Sequence, residues 1–125
     1  MNILSDSETR VSELREQVQK FITDRDWSKY HNPKDISVSI TIEASELLEV
    51  FQWVRDDDAD DLLKDPIKLN SVKDELADII IYCLSLANSL DIDVSQAVTD
   101  KIEKNKRKYP REKIKGNYRK YTELE

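Results

Sequence analysis

Apolar residues return every three or four positions over four stretches of the chain, with polar punctuation between them. Val11, Leu14, Val18, Phe21 and Ile22 predict a first helix from about Ser7 to Asp24. "SDSE" at 5–8 has the make-up of a capping box. "RDWSKYHNPKD" then breaks the period, with Pro33 as punctuation. A second stripe opens near Asp35 and runs through Ile40, Ala44, Leu47, Leu48 and Phe51. It fails in "RDDDADD", where "ADDLLK" adds one short turn. Asp65 as N-cap and Pro66 at the first helical position start a third helix. Its stripe is Val72, Leu76, Ile80, Cys83 and Ala87, and it should end near Asp91. "DVSQ" at 93–96, a capping-box variant, opens a fourth helix that lasts until Pro110. From Arg111 the periodicity is lost, which predicts an extended or partly ordered tail.

The composition sharpens this picture. One Gly and three Pro cannot supply many hairpins, so an all-α fold is expected. The expected organisation is one four-helix domain over residues 1–110 and a basic C-terminal tail over 111–125. No window has the ~20 apolar residues that span a membrane. "MNILSDSETR" has no signal pattern, and a lone Cys83 offers no disulfide framework, so a cytoplasmic location is expected. A net charge of −6 argues against a general binder of nucleic-acid polymers. About half of all Lys and Arg nevertheless lie between Lys101 and Lys120. That end either meets phosphate groups or is a solvated helix end.

The acidic residues of the second and third helices pose the chemical question. Residues advance by about 100° around a helix. Glu43, Glu46 and Trp53 therefore fall along one border of the second helix's apolar stripe. Glu75, Tyr82 and Asp78 fall on the matching border of the third. If the two helices pack antiparallel, four carboxylates converge, and like charges a few ångströms apart repel by several kcal/mol. The motif offers no Lys or Arg to offset this. Hard oxygen ligands suit Mg²⁺, with Mn²⁺ as a substitute. A di-iron bundle would want Glu-x-x-His pairs, and the only histidine, His31, sits in a loop. Glu49 is either a further ligand or an exposed acid.

"EASE" at 43–46 followed by "DELAD" at 74–78 resembles the E-x-x-E…E-x-x-D signature of the MazG-like all-α nucleoside triphosphate pyrophosphohydrolases. "RDWSKYHNP", "FQW", "YCLSLANSLDID" and "KIEKNKRKYP" are similar to the dCTP pyrophosphatase branch in order and spacing, over roughly residues 8–110. The resemblance implies a four-helix MazG-like bundle completed by homo-oligomerisation, as a dimer or a dimer-of-dimers tetramer. It implies Mg²⁺-dependent cleavage of a nucleoside triphosphate, with dCTP foremost, to the monophosphate and pyrophosphate. Glu43, Glu46, Glu75 and Asp78 would hold the metal, and Glu46 would take the proton of the attacking water.

Two further groups follow. Lys101, Asn105 and Tyr109 step by four residues along the face of the fourth helix that carries Val94, Val98 and Ile102. Inward polar groups need partners, and a triphosphate would provide them. The other reading is a face that turns to water. The branch resemblance also implies that Trp27, His31 and Trp53, with Tyr82, line a base pocket. His31 could instead only cap its loop. Phe21, Phe51 and Tyr30 read as ordinary core or rim. The competing functions are a dUTP or broad-specificity pyrophosphatase and, from another class, a non-catalytic metal-binding helical assembly module.

Overall fold

The computed structural model describes residues 4–62 and 64–114. Every regular element among them is helical. The chain divides into two compact units, one through Ile92 and one from Asp93.

In the first unit, α1 spans Val11–Asp24 and starts later than the sequence suggests. The Ser5 carbonyl accepts from the amides of Glu8 and Thr9, which closes a separate turn, and Ser5 Oγ pairs with Ser7 Oγ. The expected capping box therefore does not form, and Arg10 stands at the N-cap without a side-chain bond. At the other end, the Asp26 amide donates to Thr23 O and the Trp27 amide to Ile22 O, with Asp26 left-handed at φ 54°. This is a Schellman-type stop with an aspartate where glycine is usual. It turns the chain back so that Trp27 meets Phe21 edge-on, with ring centroids 5.7 Å apart.

After a 3₁₀ turn at Ser28–Tyr30, α2 runs Pro33–Phe51. Pro33 opens this helix instead of merely preceding it. Asn32 is the N-cap, and its Oδ1 accepts from the Asp35 amide at 2.9 Å. A 3₁₀ turn at Asp56–Asp58 and the short α3, Ala59–Leu62, form the linker. Helix α4 spans Pro66–Leu90, and Asp65 Oδ1 caps it by accepting from the Ile67 amide. It ends at Asp91, left-handed at φ 53°. No helix among the described residues is long and apolar enough to cross a membrane.

Helix α4 packs against both α1 and α2. Glu43 of α2 meets Glu75 and Asp78 of α4, whereas Ile36 and Ser39 share a cavity wall with Tyr82. Rising numbers on α2 thus meet falling numbers on α4, and the two helices are antiparallel. Arg15 of α1 donates from Nε to Asn88 Oδ1 at 2.8 Å, and Asn88 Nδ2 donates back to Arg15 O. Val18, Ile22, Ile36, Leu84 and Ala87 are the buried apolar residues, with Ser85 among them. The stripe read for α4 is only partly inside: Leu76 and Ile80 stay nearly half exposed, and Cys83 is exposed. The run "IIIYCL" is apolar nearly all round, so periodicity alone does not say which face packs within the chain.

In the second unit, α5 spans Val94–Lys108, and Asp93 Oδ1 accepts from the Gln96 amide at 2.8 Å. The Gln96 side chain reaches forward to Asp100 and does not complete a reciprocal box. After Pro110 the chain makes one more helical turn, α6, Arg111–Ile114, at the start of the stretch for which an extended or partly ordered tail is expected. The tail from 115 onward lies outside the described residues.

Candidate functional site

The antiparallel pairing of α2 and α4 brings the acidic borders together. One carboxylate oxygen each from Glu43, Glu75 and Asp78 lies within 4.8 Å of the others. Glu46, one turn beyond Glu43, is half-buried and acts electrostatically on both Glu43 and Glu75. Glu43 has its pKa pushed up to about 7, first by burial, then by the neighbouring Glu46 and by the charge of Asp78. Glu75 is also pushed up, first by burial and then by Glu46. In each case the protonated carboxyl can donate to a neighbour that an ionised one would repel. Glu43 Oε2 and Glu75 Oε2 are buried and have no hydrogen-bond partner. Among the described residues no Lys, Arg or His forms an ion pair with any of the four acids. Buried acceptors without donors, clustered and all of hard oxygen, are what a divalent cation would satisfy. The residues present therefore fit such an ion. Glu49 is exposed and is not one of the clustered three.

Beside this cluster an open cavity of about 670 Å³ is walled by Leu14 and Phe21 of α1 and by Ile80 and Ile81 of α4. Trp27, His31 and Tyr82 line it together, and so does Asp78. The aromatic group and the acidic group thus share a residue. His31 stacks on Tyr82 with centroids 6.2 Å apart and planes 16° apart. Its Nδ1 lies 3.3 Å from Ser85 Oγ. A smaller cavity of about 270 Å³ shares Trp27, His31 and Tyr82 and adds Tyr30 and Ser39. Trp53 is placed differently. It follows the end of α2, is 88% exposed, and lines neither cavity.

Phe21, expected in the core or at its rim, is 46% exposed and forms a wall of the larger cavity. Ser85 was not singled out at all. The available signal is its position in the helix: it lies one turn past Ile81 and three residues past Tyr82, both of which line the larger cavity. In the second unit Lys101 and Asn105 are exposed and Tyr109 is half-buried. They lie on successive turns of α5, with the Tyr109 amide donating to Asn105 O.

Among the described residues the elements are all helical, with a carboxylate cluster across two antiparallel helices beside an aromatic cavity. The MazG-like family model matches residues 38–124. The chain belongs to the MazG-like family, as its E-x-x-E and E-x-x-D motifs suggest. The chain is similar to dCTP pyrophosphatase 1 of Bos taurus, at 34% identity over 118 residues, covering 94% of this chain and 70% of that protein. It is similar to dCTP pyrophosphatase 1 of Homo sapiens at 32% identity over 117 residues, covering 94% and 69%. Among solved structures, a pyrophosphatase from Archaeoglobus fulgidus matches with a TM-score of 0.76 and 40% identity, covering 86% of this chain and 99% of that one.

Proposed function

We propose that this chain is a Mg²⁺-dependent nucleotide pyrophosphohydrolase that cleaves a nucleoside triphosphate, dCTP foremost, to the monophosphate and pyrophosphate. Family membership, the dCTP pyrophosphatase relatives and the pyrophosphatase structure support the enzyme class. The observation that carries the site is the pair of orphaned carboxylate oxygens on Glu43 and Glu75 next to Asp78, which also lines the aromatic cavity.

Glu43, Glu75 and Asp78 would hold the cation, with Glu46 beside them. Bound there, a divalent cation supplies charge neutralisation of the phosphates and a more acidic water. Glu46 is the carboxylate that takes the water's proton. Within the first unit Trp27, His31 and Tyr82 would enclose the base; in the second, Lys101, Asn105 and Tyr109 of the α5 stretch are by themselves the candidates for phosphate binding. The test is pyrophosphate release from the common ribo- and deoxyribonucleoside triphosphates, with and without a chelator. Chelator-sensitive release, fastest with dCTP, is expected. Release that ignores the chelator, or none from any nucleotide, sinks the reading. A preference for dUTP or a purine removes the base assignment alone.

The phosphate contacts have their own check. Lys101→Met is expected to weaken triphosphate binding by ~10-fold or more, since a hydrogen bond to a charged group contributes roughly 1.5–3 kcal/mol. An unchanged KM and kcat would make Lys101 mere surface charge.

The proposed enzyme is a homo-oligomer. A single chain leaves Leu48 64%, Trp53 88% and Ile67 78% exposed, and among the described residues it buries only five apolar side chains. Apolar area of that extent is usually covered. Light scattering on the purified chain should give a multiple of 14.7 kDa. A monomer at micromolar concentration rules the assembly out.

A further inference from the structure

His31 and Ser85 are joined by a contact that the proposed reaction does not by itself require. Ser85 is 4% exposed and is the one polar residue in the buried core of the described chain. A buried hydroxyl needs somewhere to place its proton, because an unmade bond leaves its desolvation uncompensated. Other helical hydroxyls here use the carbonyl one turn back: Ser37 donates to Pro33 O, Thr41 to Ser37 O, Ser45 to Thr41 O and Ser71 to Ile67 O. Ser85 does not. Among the described residues its side chain has a single partner, His31 Nδ1, at 3.3 Å. If Nδ1 carried the proton and donated to Ser85, the serine proton would be left without an acceptor. The arrangement that satisfies both groups has Ser85 Oγ donating to Nδ1. The neutral imidazole then carries its proton on Nε2.

We propose that Ser85 is a positioning residue for base recognition: it fixes His31 as the Nε2–H tautomer and so presents a hydrogen-bond donor to the cavity. Nε2 has no protein partner among the described residues. The ring is held in place by its stack on Tyr82 and by the serine. A fixed donor favours a nucleobase edge that offers an acceptor beside it. The ring nitrogen N3 of cytosine is such an acceptor, whereas the corresponding nitrogen of uracil or thymine bears a hydrogen and would oppose the donor. Stacking tolerates any base, so a fixed tautomer can supply discrimination that the aromatic walls cannot. This inference rests on the base-pocket reading above, but its first test does not.

That test uses the fact that the chain has one histidine. Its imidazole nitrogens are the only ones in a ¹⁵N spectrum of selectively labelled protein. At a pH above the ordinary histidine value of ~6.5, substrate-free wild type should show the proton on Nε2. Ser85→Ala should show a mixture of tautomers, and Ser85→Thr should restore the wild-type pattern. The second test is the ratio of kcat/KM for dCTP over dUTP. It should fall at least ~5-fold in Ser85→Ala with turnover of the poorer substrate retained, which also shows that the variant is folded and binds metal. A proton on Nδ1 in wild type, or a spectrum that Ser85→Ala leaves unchanged, overturns the proposal whatever the substrate is. An altered spectrum with an unchanged ratio overturns the specificity role. If wild type proves not to prefer cytosine, the base reading falls, while a Ser85-dependent tautomer still upholds the positioning.

Discussion

Asp78→Asn and Glu46→Gln should each abolish turnover while leaving the metal-free protein as stable as wild type or more so. Changes to groups that merely support metal ligands typically cost 10–100-fold in affinity or activity, so a loss of at least ~100-fold is expected for the acids themselves. The stability effect has the opposite sign because these acids repel one another in the apo protein. Glu43 shows the repulsion most clearly. Its pKa is pushed from 4.5 to about 7 by burial and by Glu46 and Asp78. A raised carboxyl binds its proton more tightly in the folded state than in the unfolded one. Its contribution is therefore fully present below about 4.5 and is lost as pH rises through about 7. The melting temperature of the metal-free protein should fall across that window, and Mg²⁺ should reverse the fall by binding the ionised cluster. Glu43→Gln should flatten the same profile. Unimpaired turnover in either inactivating variant, or a metal-free melting temperature that rises steadily from pH 4.5 to 7, contradicts the assignment.

The acidic cluster was legible because it rests on short-range rules. Glu43 and Glu46, like Glu75 and Asp78, are set by spacing within a helix, and their meeting needed only one assumption, the antiparallel packing of α2 and α4. The helix starts at Asp65 and Asp93 were legible for the same reason: an N-cap is decided by the residue and the amide two or three positions on. The start of α1 was not, because at residues 5–9 a backbone turn competes with the capping box and both use the same serine. Burial on α4 was less legible still. A helix with apolar residues on most of its surface can be placed against its neighbours in several rotations, and the sequence carries no term that selects one. Leu84 and Ser85 are inside, whereas Cys83, read as part of the stripe, is exposed. Trp53 lies just past Phe51, the last residue of α2, and stands 88% exposed.

Trp27→Ala should raise the KM for dCTP by ~5-fold to 100-fold and leave metal binding intact. Trp27 is placed by the stop at the end of α1, not by a helix face, so its position depends on the left-handed Asp26 and on the edge contact with Phe21. It lines both cavities with His31 and Tyr82. Stacking a base on one aromatic ring contributes roughly 1–3 kcal/mol, which sets the expected range. Trp27 is 43% exposed, so its truncation removes less packing than a core tryptophan would, and the fold should survive. Phe21→Ala tests the same wall from the other side. It should give a smaller rise in KM, because Phe21 meets Trp27 at 75° and supports it edge-on. The comparison that decides is Trp27→Ala against Trp53→Ala. If the cavity beside Asp78 holds the base within one chain, Trp27→Ala has the larger effect. If Trp53→Ala is the more damaging, the exposed indole reaches the nucleotide only when a second copy of the chain brings it there, and the base site is shared between subunits. Equal and negligible effects would leave the cavity without a nucleotide and remove the base assignment.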